Sequence, residues 1–481
     1  MLARLLLWGS LLFGLLRSSP SPGKLFGKIT SPNYPQPYPN NNTIKREIVV
    51  PKGLRVKLNF WHFDLEPSAS CMKDYVNITA VEKDKQFCGQ QGSNKGTHPG
   101  SGDFFSKGNR MELVFHSDSS NEENGTITPY KGFLAYYRPV VVNCGDPKNL
   151  TNGNFRYVRE HRNNNYQSVI TYRCNEPYYS METNRGNGTY TCSAQGTWVN
   201  QDGQENIPKC LPVCGKPDKP ITRTQPISNG SIAPAGSFPW HALINISRLG
   251  GGALLHDRWI LTAASFLQPK QTNATRRKSP HEVAEEAEVF LGCTQVDEIC
   301  KLGKRPIRRV FVHPTYDPDT ETHFDEDIAL IELRDPVPLG PNLLPVCLPD
   351  VSNSTFYASR YMGYVSGFGL EKNFLANELK YVSLAVGNQA ACKKWLQGQK
   401  VNGKPLMFSE NMFCAGSPTE GEDTCQGDSG SVFTVQDPES QRWIATGITF
   451  WGLGCGKSYG FYTKIINYLD WINQTIVTAG L

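Results

Sequence analysis

Charge of one sign is nearly missing from this chain. Its 481 residues carry 49 Lys and Arg against 44 Asp and Glu, which leaves only +5. A nucleic-acid binder gathers basic residues on one face, and so small an excess points to no nucleic-acid partner. Long apolar runs are scarce too. After residue 16 nothing approaches about 18 uncharged apolar residues, so no membrane span is expected in the mature chain. The composition also lacks the profile of long helices: 33 Pro and 44 Gly favour short strands joined by turns. What is present is 39% hydrophobic and 11% aromatic residues, enough for packed cores and too much for wholesale disorder. At roughly 150 residues per domain, the length allows about three domains.

The first 16 residues, MLARLLLWGSLLFGLL, set Arg4 before a mostly apolar run, and a Ser/Pro/Gly stretch follows Arg17. Such a run is short for a span and is followed by small residues, as cleavage requires, so residues 1–23 are expected to be a signal peptide and the protein to be secreted. Ten Asn-x-Ser/Thr sequons agree with export and glycosylation: Asn41, Asn77, Asn124, Asn149, Asn187, Asn229, Asn245, Asn273, Asn353 and Asn473. The fourteen cysteines are an even number spread along the chain, and in an exported protein they read as a disulfide framework.

Residues 24–139 alternate in strand fashion, as in LRVKLNFWHFDL and MELVFHS, between turns rich in Pro, Gly and Asn. That pattern predicts an antiparallel β-sandwich. With GKITSPNYPQPYPNN, HFDLEPSASC, DYVNI and FHSDSSNEENGTITPYKGFLAYY, the segment resembles a CUB domain. Some CUB domains bind calcium through three acids, and Glu66, Asp74 and Asp118 match their pattern, with Tyr38 matching a supporting tyrosine. Calcium takes hard oxygen ligands, which carboxylates and loop carbonyls supply. Residues 143–212 resemble a sushi module through NCGDP, ITYRCNEPYY, GTYTCSAQGTW and IPKC. That resemblance implies bridges Cys144–Cys192 and Cys174–Cys210 and a role as a spacer or binding face. The linker 213–226 is rich in Pro and charge.

Residues 227–481 resemble the trypsin/chymotrypsin family of serine peptidases, through SFPWHALI, GGALLHDRWILTAAS, DIALIELRDPVPLGPNLLPVCLP, DTCQGDSGS and ITFWGLGCGKSYGFYTKI. The resemblance implies two six-stranded β-barrels and a C-terminal helix, with Ile465, Leu469, Ile472 and Ile476 on one face. The whole chain is therefore expected to be all-β: a CUB β-sandwich, a sushi module and a chymotrypsin-like double β-barrel with a C-terminal helix. It further implies bridges Cys214–Cys347, Cys392–Cys414 and Cys425–Cys455. Cys293 and Cys300 are then left to close a local loop, and with Cys71–Cys88 all fourteen cysteines are paired.

Acyl transfer by a serine needs a nucleophile, a base, an orienter for the base and an oxyanion hole. By resemblance Ser429 stands at the nucleophile position, Asp327 at the orienter, and the amides of Gly427 and Ser429 form the hole. Asp423 lies where trypsin-like enzymes receive Arg or Lys, with Gly452 and Gly460 keeping that pocket open. The base position departs from the family: LTAAH becomes LTAAS, which puts Ser265 there. A serine hydroxyl does not accept a proton near neutral pH. Phe450 replaces the serine that precedes Trp-Gly, and Pro226 precedes Ile227 where activation cleavage follows Arg or Lys. In the family the amine freed by that cleavage pairs with the Asp beside the nucleophile, here Asp428; Arg223 lies three residues too early. Among five histidines of the domain, His241, His256, His281 and His313 fall on strands or surface positions, while His323 lies near the cleft as a stand-in base.

The arrangement resembles the complement proteases r and s, in a shortened form without the EGF-like module, second CUB and one sushi module. Two readings follow. In the first, a secreted peptidase homologue with little or no proteolytic activity acts by binding or regulating an extracellular or plasma protein. In the second, a secreted endopeptidase cleaves after Arg or Lys. Basic runs at 275–278 (TRRK) and 304–309 (KRPIRR) are a further candidate surface for heparin or an acidic partner, or else solvated loops.

Overall fold

The computed structural model describes residues 25–480 apart from 82, 124, 159–162, 183–186, 222–229, 270–276, 293, 297–300, 302, 320–324, 353, 372–373, 402–403, 418–427 and 452–458. The chain divides into two units, Met1–Cys174 with Met181–Lys209, and Asn175–Ser180 with Cys210–Leu481. Among the described residues no helix is long and apolar enough to cross a membrane.

In the first unit, two four-stranded antiparallel sheets form the sandwich. One runs in the order Gly27–Thr30, Gly132–Val141, Leu54–Asp64, Asp103–Phe105; the other Asn42–Val49, Arg110–Ser117, Tyr75–Thr79, Lys85–Phe87. Alternation decides which side chains meet. Val56, Leu58 and Phe60 point inward and are buried, while Lys57, Asn59 and Trp61 lie on the opposite face. Phe60, Phe115 and Phe133 fill the centre, with rings 5.7–6.0 Å apart. Each such side chain stabilises by about 1.5–3 kcal/mol on burial. Opposite Leu134 and Ala135 the partners are His62 and Phe60, so Trp61 is the extra residue of a β-bulge.

The following module has a small sheet ordered Gly153–Tyr157, Val169–Cys174, Thr189–Cys192, Trp198–Val199. Its core is little more than Tyr172 and Tyr190, edge to face at 5.3 Å. The Cys144–Cys192 bridge, closing 48 residues, compensates by restricting the unfolded chain. Cys174 and Cys210 are also disulfide-bonded. Within this unit the sandwich and the small module are in contact. Gly53 adopts φ +86°, and a Cβ there would lie 1.9 Å from the Tyr166 ring. Only glycine satisfies both the dihedral and the approach.

The second unit holds two antiparallel barrels. The first sheet is ordered Glu288–Leu291, His241–Asn245, Leu249–Leu255, Trp259–Thr262, Ala329–Leu333, Ile307–Val312, and a bridge between Val289 and Arg305 closes it. The second runs Ser231–Ile232, Lys380–Ala385, Met362–Gly367, Val432–Gln436, Trp443–Trp451, Gly460–Lys464, Met412–Ala415, closed by a bridge from Val386 to Ala415. The ring closed by that bridge has the six strands the sequence leads one to expect, and the sheet carries one more outside it. The extra one is the two-residue Ser231–Ile232, which pairs with Tyr381 and Lys380. The C-terminal segment starts as a 3-10 turn, Ile465–Tyr468, and continues as the α-helix Leu469–Ala479. Ile465, Leu469 and Ile472 are buried, and Ile476 packs at the edge of that core.

Candidate functional site

Two clusters of acidic and polar side chains stand out, one in each unit. In the first unit the ligand oxygens of Glu66, Asp74 and Asp118 lie within 4.8 Å of one another. Asp74 is on the loop just before Tyr75–Thr79, and Asp118 follows Arg110–Ser117, its partner strand, so sheet pairing brings them together. Tyr38 Oη donates to Asp74 Oδ2 at 2.5 Å and accepts from the Glu66 amide at 3.1 Å. The Asp118 amide donates to Asp74 Oδ1 at 2.8 Å. Lys73 pairs with Glu66 Oε1.

The Ser120 amide donates to Asp118 Oδ1 at 2.9 Å. Glu66 Oε2 and Asn121 Oδ1 are buried with no hydrogen-bond partner. Burial pushes the Glu66 carboxyl above its ordinary range, against the pull of Lys73, and the neighbouring acids add to the push. Burial likewise raises Asp74, although Tyr38 and the Asp118 amide favour its charged form. Crowded, desolvated carboxylates with an unpartnered oxygen are the donor set of a hard divalent cation. Asn121 was not singled out from the sequence. It stands three residues after Asp118, and its side-chain carbonyl is a further oxygen of the right kind.

In the second unit, Ser265 is the second residue of the short helix Ala264–Leu267 after the strand Trp259–Thr262, and Asp327 precedes Ala329–Leu333. These strands are neighbours, with Thr262 opposite Ala329, which sets the two residues side by side. The Ser265 amide donates to Asp327 Oδ1 at 2.6 Å, and its hydroxyl donates to Oδ2 at 2.7 Å. Both oxygens of the buried carboxylate are thereby engaged by one residue. Burial pushes Asp327 up to about 6, while the Ser265 bonds, the Ala264 amide and the charge of Arg248 act the other way.

Arg248, which sequence reasoning missed, donates to the carbonyls of Ser265 at 2.6 Å and Phe266 at 3.2 Å. Its guanidinium lies 5.2 Å from the Phe266 ring. No motif marks it; the turn between His241–Asn245 and Leu249–Leu255 delivers it across 17 positions of sequence.

Ser429 precedes the second-barrel strand Val432–Gln436, and its carbonyl accepts from the Gly251 amide of the first barrel at 2.8 Å. The next residue, Gly430, has φ +87°, and a Cβ there would meet Thr262 Oγ1 at 2.2 Å. The turn that carries Ser429 is thus fixed against the strand leading to Ser265. The Asp428 carboxylate lies against Gly367, where an added Cβ would come within 1.8 Å of Oδ1. Gly460 opens the strand Gly460–Lys464 and pairs with Ala415.

Several sequence expectations fall outside the described residues: Asp423, Gly427, Gly452, His323, Arg223, Pro226, Ile227, Cys293, Cys300, Cys425, Cys455 and the sequons Asn124, Asn229, Asn273 and Asn353. Nothing is described of the Phe450 side chain. Bridges join Cys71 to Cys88, Cys214 to Cys347 and Cys392 to Cys414.

Other histidines of this unit have business elsewhere. His241 is buried, its Nδ1 3.1 Å from Ser366 Oγ, and burial pushes it down to about 4. His313 packs on Tyr468 and Trp471, and His281 faces Glu285 on an exposed helix. The basic runs are largely neutralised. Lys304 pairs with Glu288, Arg308 and Arg309 with the buried Glu332, Arg277 with Asp319, and Lys278 with Glu286.

Comparison with known proteins gives three family matches: the CUB domain over residues 23–130, the sushi repeat over 144–210 and trypsin over 227–472. The chain is 44% identical over 473 residues to the human (Homo sapiens) Complement C1r subcomponent-like protein, covering 97% of this chain and 94% of that one. It is 34% identical over 705 aligned positions to the mouse (Mus musculus) Complement C1r-A subcomponent, covering 97% and 98%. It is 31% identical over 525 positions to the Calcium-dependent serine proteinase of Mesocricetus auratus, covering 94% and 72%.

Proposed function

The chain belongs to the trypsin family of serine peptidases in its complement C1r-like form, with CUB and sushi domains ahead of the peptidase fold, and from that premise we propose that it is a secreted homologue working by binding rather than by turnover. The observation that carries this reading is the Ser265–Asp327 pair. A peptidase orients an imidazole with that carboxylate; here the carboxylate holds a hydroxyl that does not take the nucleophile's proton near neutral pH. Ser429 is then an unactivated alcohol. Loss of one triad member costs roughly four to six orders of magnitude in turnover.

The reading assigns Glu66, Asp74 and Asp118 as calcium ligands, with Asn121 adding a neutral oxygen and Tyr38 fixing Asp74. The hamster relative is calcium-dependent by name. Bound there, the cation supplies charge neutralisation to a buried acidic cluster and stiffens the loops that carry it. The partner is then an extracellular protein met by the CUB and sushi faces or by the closed peptidase surface.

Turnover of an arginyl ester tests the reading, with secreted protein compared before and after forced cleavage in the 223–227 linker. The parent is expected to match Ser429→Ala in both states. Turnover that disappears in Ser429→Ala would instead establish the endopeptidase reading, and His323 would be the next residue to replace.

A further inference from the structure

The sequence draws attention to its two basic runs, yet Arg277, Lys278, Lys304, Arg308 and Arg309 in them are tied to acids. Further unneutralised positive charge gathers on the outer face of the CUB sheet that holds Gly27–Thr30, Gly132–Val141 and Leu54–Asp64. Register places Lys57 directly opposite Arg138, and Lys28 and Asn59 on either side of Tyr136. A cross-strand pair of like charges destabilises a sheet, so a row of this kind calls for a compensating anion. Asp103 supplies one for Lys57, at 2.6 Å. Among the described residues Lys28 and Arg138 have no ion-pair partner.

These side chains and Phe26 line an open cleft of about 510 Å³. Aromatic rings stand at its edges. Phe26 is 74% exposed, Tyr136 is 41% exposed, and the bulged Trp61, 74% exposed, packs edge-on against Tyr136 at 5.3 Å. Large exposed rings beside unpaired cations leave both apolar faces and positive charge unused, and patches of that kind mark binding sites.

We propose that this face binds an acidic saccharide, its sulfate or carboxylate groups held between Lys28 and Arg138 and a sugar ring laid on Tyr136, with Trp61 standing edge-on beside it. The cleft suits a saccharide over an acidic peptide because exposed aromatic rings stand beside its cations and give a sugar ring a face to stack on. Asn59 adds a neutral polar group able to meet a hydroxyl. Lys57, already paired, lends less than its full charge.

The test uses the full-length secreted protein with EDTA present, so that the acidic cluster of the same domain takes no part. Three probes are titrated: a heparin decasaccharide, neutral dextran and a poly-glutamate peptide. Lys28→Glu with Arg138→Glu should weaken decasaccharide binding by about tenfold or more and lower the salt needed for elution from immobilised heparin. Tyr136→Ala should weaken it about fivefold while leaving retention of poly-glutamate unchanged. Both residues of the double variant are exposed, and an unaltered thermal midpoint checks their folding. Unchanged decasaccharide affinity in the double variant overturns the site. So does an equal loss in Lys304→Glu with Arg308→Glu, which would return the binding to the basic run. Poly-glutamate binding as tightly as the decasaccharide, with no response to Tyr136→Ala, overturns the saccharide assignment.

Discussion

Glu66 and Asp74 in the first unit and Asp327 in the second are buried carboxylates raised by the same cause, loss of water. They differ in what surrounds them. Three acids crowd the first site, with one oxygen of Glu66 left unpartnered. The second site holds one acid whose two oxygens are both occupied by Ser265. An unbalanced cluster is built for something to arrive, whereas a saturated one is finished. Inherited residues therefore say less about function than whether their hydrogen bonds and charges are already met.

The comparison breaks most visibly if the acidic cluster is emptied of its charge logic. Asp74→Ala removes the acceptor of the Tyr38 hydroxyl and of the Asp118 amide, and two unmet donors should cost the CUB domain about 1–3 kcal/mol. It should also abolish any rise of the thermal midpoint with calcium. In the parent, calcium at a hundredfold excess over its dissociation constant should add about 3 kcal/mol relative to EDTA, read by calorimetry. An equal midpoint in calcium and EDTA would remove the cation from the account.

Asp327 should behave in the opposite sense. Its folded pKa of about 6 stands above the ordinary 3.8, so the fold binds this proton more tightly than the unfolded chain. Stability from this group is full below the unfolded value and is lost as pH rises toward 6. The difference, 6 − 3.8, corresponds to at most about 3 kcal/mol. Asp327→Asn should thus stabilise the domain at pH 7.5 and leave it nearly unchanged at pH 4, by denaturant titration. Asparagine fits, since its carbonyl accepts from the Ser265 amide while its amide donates to the hydroxyl.

Smaller effects sharpen the picture. Arg248→Met removes two donors from the Ser265 and Phe266 carbonyls and should cost about 1–2 kcal/mol, loosening the segment that holds Ser265. Lys304→Ala breaks only an exposed pair with Glu288 and should stay within about 0.5 kcal/mol.

The three-domain plan, the all-β class and the terminal helix were legible because each rests on local signals: alternation, turn residues and fixed motifs. Glu66, Asp74 and Asp118 could be named in advance because the CUB resemblance carries their spacing. Ser265 was visible as a departure within LTAAS. Its bond to Asp327 was not, because a hydroxyl has many possible acceptors and only strand pairing selects one. Arg248 has no motif; it matters through the Ser265 and Phe266 carbonyls that lie beside it in space. The two-residue strand Ser231–Ile232 is too short to leave a pattern. Basic residues misled in a particular way. Contiguous Lys and Arg catch the eye, yet Glu332 and Glu288 come from other strands to neutralise them, while Lys28, Lys57 and Arg138 gather from positions 110 residues apart.

The claim that the second site is finished is tested most directly by covalent labelling of Ser429. A fluorophosphonate reacts with a serine that a base has activated, so labelling reads the nucleophile itself without need of a natural substrate. Linker-cleaved parent, Ser429→Ala and Ser265→His proteins would be labelled side by side and the modified peptide located by mass spectrometry. The account predicts that the parent labels no faster than Ser429→Ala, and that Ser265→His gains labelling at Ser429. Parent protein labelled at Ser429 at the rate of the histidine variant would contradict it.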